Sequence, residues 1–198
     1  MMRKDKKRFK VAMIGHKRVP SREGGIEVVV EELSVRMVER GLKVDVYNRK
    51  DRFGKAYKQP REYKGIRIIQ IPTFKVSALN AFVYSVLASF RALFGGYDCI
   101  HYHAEGPCAM MWLPKLFGIH TVATIHGLDW QRAKWGGFST KYLKLGEKCA
   151  SKYADELIVL SNNNQKYFKE TYGRDTHLIP NGIVKKLSLI HISEPTRP

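Results

Sequence analysis

The sequence predicts an α/β fold, a Rossmann-like open parallel sheet with helices on both faces. Short apolar, β-branched runs alternate with segments of helical spacing almost from end to end, the pattern of repeated strand–helix–strand units. Most of the runs are continuously apolar rather than alternating, as parallel strands covered on both faces require. The 198 residues are 44% hydrophobic and 27% charged, which suits a globular domain able to bury a core without disulfide or metal staples. Disordered and fibrous classes are thereby excluded.

The first strand is expected at Lys10–Ile14, after a basic tail over residues 1–9. Gly25 then opens a helix whose apolar set, Ile26, Val29, Val30, Leu33 and Met37, recurs at i, i+3, i+4, i+7 and i+11 and should face inward. Glu27, Glu31, Glu32, Arg36 and Arg40 fall off that stripe, and Gly41 suits the C-terminal cap. Strands at Lys43–Tyr47 and Ile66–Ile71 precede an apolar helical stretch, Val76–Phe94. Ser77, Asn80, Ser85 and Ser89 interrupt it, which argues against spanning a bilayer. It reads as a buried or half-buried helix, or alternatively as an interfacial helix touching anionic lipid. Strands at Cys99–His103 and Thr121–His126 follow. Ser139 can cap a helix with a buried stripe of Tyr142, Gly146, Cys149, Ala150 and Tyr153. A strand at Glu156–Leu160, a helix from a Ser161 cap to Tyr172 with Gly173 beyond it, and a strand at His177–Ile179 complete the series.

The formal net charge is +17, a balance that favours polyanions: nucleic acid, anionic headgroups or a phosphorylated substrate. Arg3, Lys4, Lys6, Lys7, Arg8 and Lys10, against Asp5 alone, concentrate part of it in the tail. The remaining cations are scattered and no nucleic-acid motif appears, so a nucleic-acid-binding module stands only as an alternative. Cys99, Cys108 and Cys149 form no C-x-x-C pair, which fits a reducing, cytoplasmic setting. The tail leads straight into a short strand, unlike a signal peptide, and no run of about eighteen apolar residues predicts a transmembrane helix.

Several positions can carry chemistry. After the first strand only Gly15 stands where a dinucleotide fold wants G-x-G-x-x-G, which disfavours a nicotinamide or flavin enzyme. Gly24 and Gly25 open the next helix, where backbone amides can approach a phosphate; alternatively they only make a tight loop. His101 and His103 share one strand face, and with His126 and Asp129 they could bind zinc as a metal-dependent hydrolase does. The collection of polar residues at strand ends, and the frequency of H-x-H pairs by chance, is the stronger explanation. In TVATIHGLDWQRAKW, Thr121–Trp135, two tryptophans and the cations Arg132 and Lys134 crowd one loop. They suit stacking on sugars or bases, against an alternative in which the tryptophans close the loop onto the core.

These segments together resemble the N-terminal half of a GT-B glycosyltransferase of the retaining family 4. The initial VAMIG strand, P-x-x-x-G-G-x-E at Pro20–Glu27, V-E-E-L-x-x-x-M-x-x-R-G, YDCIHYHAEGP, TIHGLDWQRAKW, YADELIVLS and LIPNG occur in the family's order. The chain is most similar to the rhamnosyltransferase-like branch that builds bacterial surface polysaccharides. The resemblance implies a nucleotide-sugar donor, a saccharide or polyprenyl-linked acceptor, no cofactor, no obligatory metal and no nucleic acid. It implies that Gly24 and Gly25 bind the donor phosphates and that His126 faces the donor sugar at the reacting centre. His103, Glu105, Asp129 and Arg132 would line the acceptor side. Residues 10–184 would form the acceptor-side domain, with the donor-binding domain and its E-x7-E motif absent. Peripheral contact with the anionic inner face of the plasma membrane would follow from a lipid-linked acceptor. Leu187–Arg197, LSLIHISEPTR, resembles the literal translation of a transposase adapter used in sequencing-library preparation, which implies that residues 185–198 are a truncated, non-native end.

Overall fold

The computed structural model describes residues 8–51, 60–73, 77–128, 130 and 137–182. The elements run β1 (Lys10–Ile14), α1 (Gly25–Glu39), β2 (Lys43–Asp51), β3 (Glu62–Tyr63), β4 (Ile66–Thr73), α2 (Ser77–Leu93) and β5 (Cys99–His103). They continue through α3 (Glu105–Cys108), α4 (Trp112–Leu116), β6 (His120–Ile125), α5 (Gly137–Tyr153), β7 (Glu156–Val159), α6 (Asn162–Tyr172) and β8 (His177–Leu178). The strands form one sheet in the order β3-β4-β2-β1-β5-β6-β7-β8. Every neighbouring pair is parallel except the antiparallel β3–β4 edge. Residues 1–7 of the basic tail, and Leu187–Pro198, lie outside the described residues.

The winding places the site. The chain moves outward from β1 to β2 and β4, returns to the other side of β1 as β5, and continues to the far edge. Right-handed crossovers in opposite directions put α1 on one face and α2 on the other. A crevice therefore opens at the carboxyl ends of β1 and β5, where open α/β sheets take ligands. Along β1, Val11 and Met13 pack under α1 with Val30, Val44 and Val46. Ala12 and Ile14 point the other way, into a core shared with Tyr84, Ala88, Ala150 and Phe168 of α2, α5 and α6. Fully burying a side chain such as Met13 or Ile14 contributes about 1.5–3 kcal/mol.

β1 and β5 have the expected bounds. β2 and β4 are longer, because their ladder continues in register through Lys50↔Pro72 to Asp51↔Thr73 and satisfies backbone that a polar sequence disguises. β3, α3 and α4 are additions; they are two to five residues long, and Gly106, Pro107 and Pro114 hide any helical period. On α1 the inward face is turned by one residue: Glu27, Val30, Glu31 and Ser34 are buried, while Ile26, Val29, Leu33 and Met37 are only half-buried. Glu27 and Glu31, expected off the stripe, are buried because partners receive them. Glu27 accepts from the Lys17 amide at 3.0 Å, and Glu31 accepts from Arg22 Nη2 at 3.2 Å and Tyr63 Oη at 3.0 Å. Gly41 and Gly173 end their helices with φ of 85° and 63°, and Ser161 Oγ caps α6 by accepting from the Asn164 amide, as expected. α5 begins at Gly137, ahead of Ser139, and buries Leu143 and Glu147 where Tyr142 and Tyr153 were expected.

Candidate active site

β1 ends against β5 at a position only glycine fills. Gly15 has φ of 128°, a value L side chains rarely adopt, and a Cβ there would strike the His103 carbonyl. Its amide donates to Tyr84 Oη at 3.1 Å, and Tyr84 Oη donates to the Tyr47 carbonyl. The next residue, His16, is buried. Asn48 Nδ2 donates to the Val19 carbonyl at 2.7 Å, and Asn48 Oδ1 accepts from the Val19 amide at 3.0 Å. The same oxygen lies 3.0 Å from His16 Nε2. An amide oxygen only accepts, so His16 carries its proton on Nε2. Its Nδ1 has no partner among the described residues.

The turn then enters α1 through Gly24, an extended N-cap with no side-chain hydrogen bond. The first helical bond is Val28 N to Gly24 O at 3.3 Å, so the amides ahead of it have no helical acceptor. Space around the Gly25 Cβ position is open, whereas a Cβ on Gly24 would meet the Glu27 carboxylate. The two glycines thus differ. Gly25 leaves room for a ligand and Gly24 leaves room for Glu27.

Across the crevice stand the histidines. His101 and His103 stack with centroids 4.2 Å apart, as their shared strand face requires. His101 Nε2 lies 2.8 Å from Thr124 Oγ1, and His103 Nδ1 lies 3.2 Å from His126 Nε2. His103 is fully buried and its Nε2 has no partner among the described residues. Burial holds His16 and His126 down at about 4, with the Glu27 carboxylate opposing it, and holds His101 at about 3. Burial and the neighbouring imidazoles put His103 well below its ordinary value too. All four rings are neutral at pH 7.

Ala104 follows with φ of 75° and ψ of 155°, a strained value for a residue with a side chain, costing on the order of 1–3 kcal/mol. It turns the chain into α3, where Glu105 is fully buried and Gly146 of α5 closes against its carbonyl. A cavity of about 400 Å³ adjoins the crevice between α1 and the strand ends, lined by Val29, Leu33, His101, His103, Thr124 and Ile158 among others.

Of the residues expected at the site, the structure brings together His103, His126 and the α1 entrance at Gly24 and Gly25. Asp129 and Arg132 lie outside the described residues, as do Lys134 and Trp135. Trp130 takes the anchoring role: its indole donates to Glu147 Oε2 at 2.8 Å, under Lys144 at 4.4 Å from the ring. Tyr167 and Tyr172 donate to the other carboxylate oxygen. The three imidazoles of the hydrolase alternative do approach one another, but His101 Nε2 engages Thr124 while His103 Nδ1 and His126 Nε2 engage each other. Among the described residues no three His, Cys, Asp or Glu side chains are placed to hold an ion. His16, Glu27 and Asn48 were not anticipated; the signal was their position, at or just beyond strand ends and in the G-G-x-E turn.

The sequence profile of Glycosyltransferase Family 4 matches residues 23–186. The chain is similar to D-inositol 3-phosphate glycosyltransferase from Thermobifida fusca (strain YX), with 27% identity over 170 residues, 76% of this chain and 38% of that protein. Its structure resembles sucrose-phosphate synthase (tll1590) from Thermosynechococcus elongatus, at TM-score 0.66 and 21% identity, over 89% of this chain and 49% of that one. It also resembles Anabaena Alr3699/HepE, solved in complex with UDP and glucose, at TM-score 0.60 and 16% identity, over 88% and 44%. At those identities the structural likeness shows the fold alone. The chain spans less than half the length of each of these relatives. On a profile match that covers most of its residues, the chain belongs to Glycosyltransferase Family 4.

Proposed function

We propose that this chain is the acceptor-side half of a retaining hexosyltransferase that moves a sugar from a nucleotide-sugar to a saccharide or polyprenyl-linked acceptor in bacterial cell-surface polysaccharide synthesis. In this reading a second domain completes the cleft and binds most of the donor, no metal or cofactor is obligatory, and nucleic acid is not a partner. The protein works in the cytoplasm, peripheral to the inner face of the plasma membrane, and residues 185–198 are not native. One observation carries the enzymatic reading: a neutral His103–His126 pair, 3.2 Å apart, at strand ends beside a helix entrance opened by Gly24 and Gly25.

The chemistry follows from charge. As the nucleoside diphosphate departs, negative charge grows on its oxygens, and fixed N–H donors at the α1 entrance stabilise it without reorganising. Glu27, anchored on the Lys17 amide, keeps its carboxylate against Gly24 rather than across the open side at Gly25. No acceptor for His103 Nε2 stands among the described residues, and a buried unpaired N–H costs more than an unpaired ring lone pair, so in this reading His103 holds its proton on Nδ1 and donates it to His126 Nε2. His126 then carries its own proton on Nδ1, a neutral donor able to orient a sugar hydroxyl at the reacting centre. His103 acts through His126 as a positioning residue, and Glu105, Asp129 and Arg132 belong to the acceptor side.

The test is a full-length protein with its second domain restored, screened against a panel of nucleotide-sugars with membrane extracts as acceptor. Transfer or donor hydrolysis with at least one sugar is expected. Neither, with any sugar, would reject the reading.

A further inference from the structure

Helix α2 is apolar on its outer side as well as toward the core. Its core side carries Tyr84, Ser85, Ala88, Ser89 and Ala92, while Leu87, Phe90 and Phe94, at helical spacing, are 40%, 56% and 78% exposed. A surface helix of a water-facing domain carries polar residues on that outer side. The anomaly extends to its neighbours. α4 packs beside α2 and is followed by Phe117, which with Leu116 stands exposed. Nine of the twelve large apolar side chains exposed among the described residues belong to α2, α4, α5 and the residues just after them, so the exposure is concentrated on these helices rather than spread over the whole surface.

The charge of that layer decides what covers it. α2 and α4 carry no acidic residue, and the one acid of α5, Glu147, is fully buried and held by Trp130, Tyr167 and Tyr172. Outward charges on α2 and α5 are cations: Arg91, Lys141, Lys144, Lys148 and Lys152. On the opposite face of the sheet α1 carries Glu27, Glu31, Glu32 and Glu39, while on the α5 side the nearest acids are Asp155, which holds Lys115 of α4, and the exposed Glu170 of α6. Aromatic and aliphatic side chains interleaved with cations, and no exposed acid among the described residues of α2, α4 and α5, match the interface of an anionic bilayer.

We propose that the outer surface of α2, α4 and α5 docks on an anionic lipid bilayer, with Leu87, Phe90, Phe94, Leu116 and Phe117 entering the headgroup boundary. No helix among the described residues is long and apolar enough to cross a membrane, so the contact is interfacial. α2 starts after the carboxyl end of β4 and α5 starts after the loop that leaves His126. One edge of the docking face therefore borders the crevice, within reach of an acceptor held in lipid. The purpose of docking rests on the lipid-linked acceptor reading; the docking itself does not.

The test is co-sedimentation of the full 198-residue chain with vesicles of equal parts phosphatidylcholine and phosphatidylglycerol, and with phosphatidylcholine alone. Binding to the anionic vesicles is expected, with about tenfold or greater loss in Phe90→Ser/Phe94→Ser and in Leu116→Ser/Phe117→Ser. Lys144→Gln/Lys148→Gln should weaken it several-fold. All six positions are exposed, and an unchanged melting temperature confirms the fold. Binding that ignores the apolar substitutions would make the face a general polyanion surface and overturn the proposal. So would a concentration-dependent dimer dissolved by those substitutions. Wild-type vesicle binding by the variants in a full-length enzyme that still glycosylates a polyprenyl acceptor removes the docking face alone. Intact docking without any sugar transfer removes the enzymatic reading alone.

Discussion

Gly15 and Gly24 are separated by nine positions and by very different demands. Gly15 combines a positive φ with contact against the His103 backbone, so Gly15→Ala should lose on the order of 3 kcal/mol, read by urea unfolding. Gly24 is extended, and a methyl group there meets only the flexible end of Glu27. Gly24→Ala should keep its melting temperature and raise KM for the donor in the full-length enzyme. The histidines set the pH response. Below about 6.5 the unfolded chain takes up protons that folded His16 and His126 refuse until about 4. The unfolded state thus binds more protons in that window, and stability falls as pH drops through it. Unfolding free energies at both ends of the window should show that fall. His16→Gln should reduce it by on the order of 3 kcal/mol, since one titrating group is removed. A flat profile would contradict the burial of these rings.

At the scale of elements, Trp130, which follows β6, is held by a buried carboxylate. Glu147 on α5 receives Trp130 and, from α6, Tyr167 and Tyr172, joining three segments distant in sequence. Glu147→Ala strands three donors, and a loss of about 2–4 kcal/mol with a shift in tryptophan fluorescence is expected. Retained stability would mean that the contacts of α5 and α6 do not need this centre. Much at this scale was legible: β1, β5, the caps at Gly41, Ser161 and Gly173, and a buried Gly146. The face of α1 was not, because Glu27 and Glu31 look solvent-bound until Lys17, Arg22 and Tyr63 are brought to them by the fold. Neither were α3 and α4, too short for a period to register.

Across the whole molecule, one face of the sheet lies under α1 and the other under α2, α3, α5 and α6, and the crevice between β1 and β5 is where sugar transfer is proposed. With half of the proposed cleft present, the 198-residue chain alone should show no turnover. The full-length enzyme should, and His126→Ala in it should lower kcat about 100-fold to 1,000-fold with the fold intact. Measurable turnover by the short chain would place the whole reaction on this domain and displace the two-domain mechanism.

The order of apolar runs and helical stripes in this sequence determined a parallel α/β sheet, and the carboxyl-end positions of Gly15, His103 and His126 followed from it, because strand period and crossover handedness are local rules. What those rules cannot supply is long-range pairing. That His103 meets His126, that Asn48 orients His16, that Trp130 is spent on Glu147 and that α2 turns its phenylalanines outward were decided only by packing, the three pairs joining residues 23, 32 and 17 positions apart. Burial and partner choice are properties of the packed chain. They set protonation, the anchoring of Trp130 and the exposed face, and so the chemistry proposed for this chain.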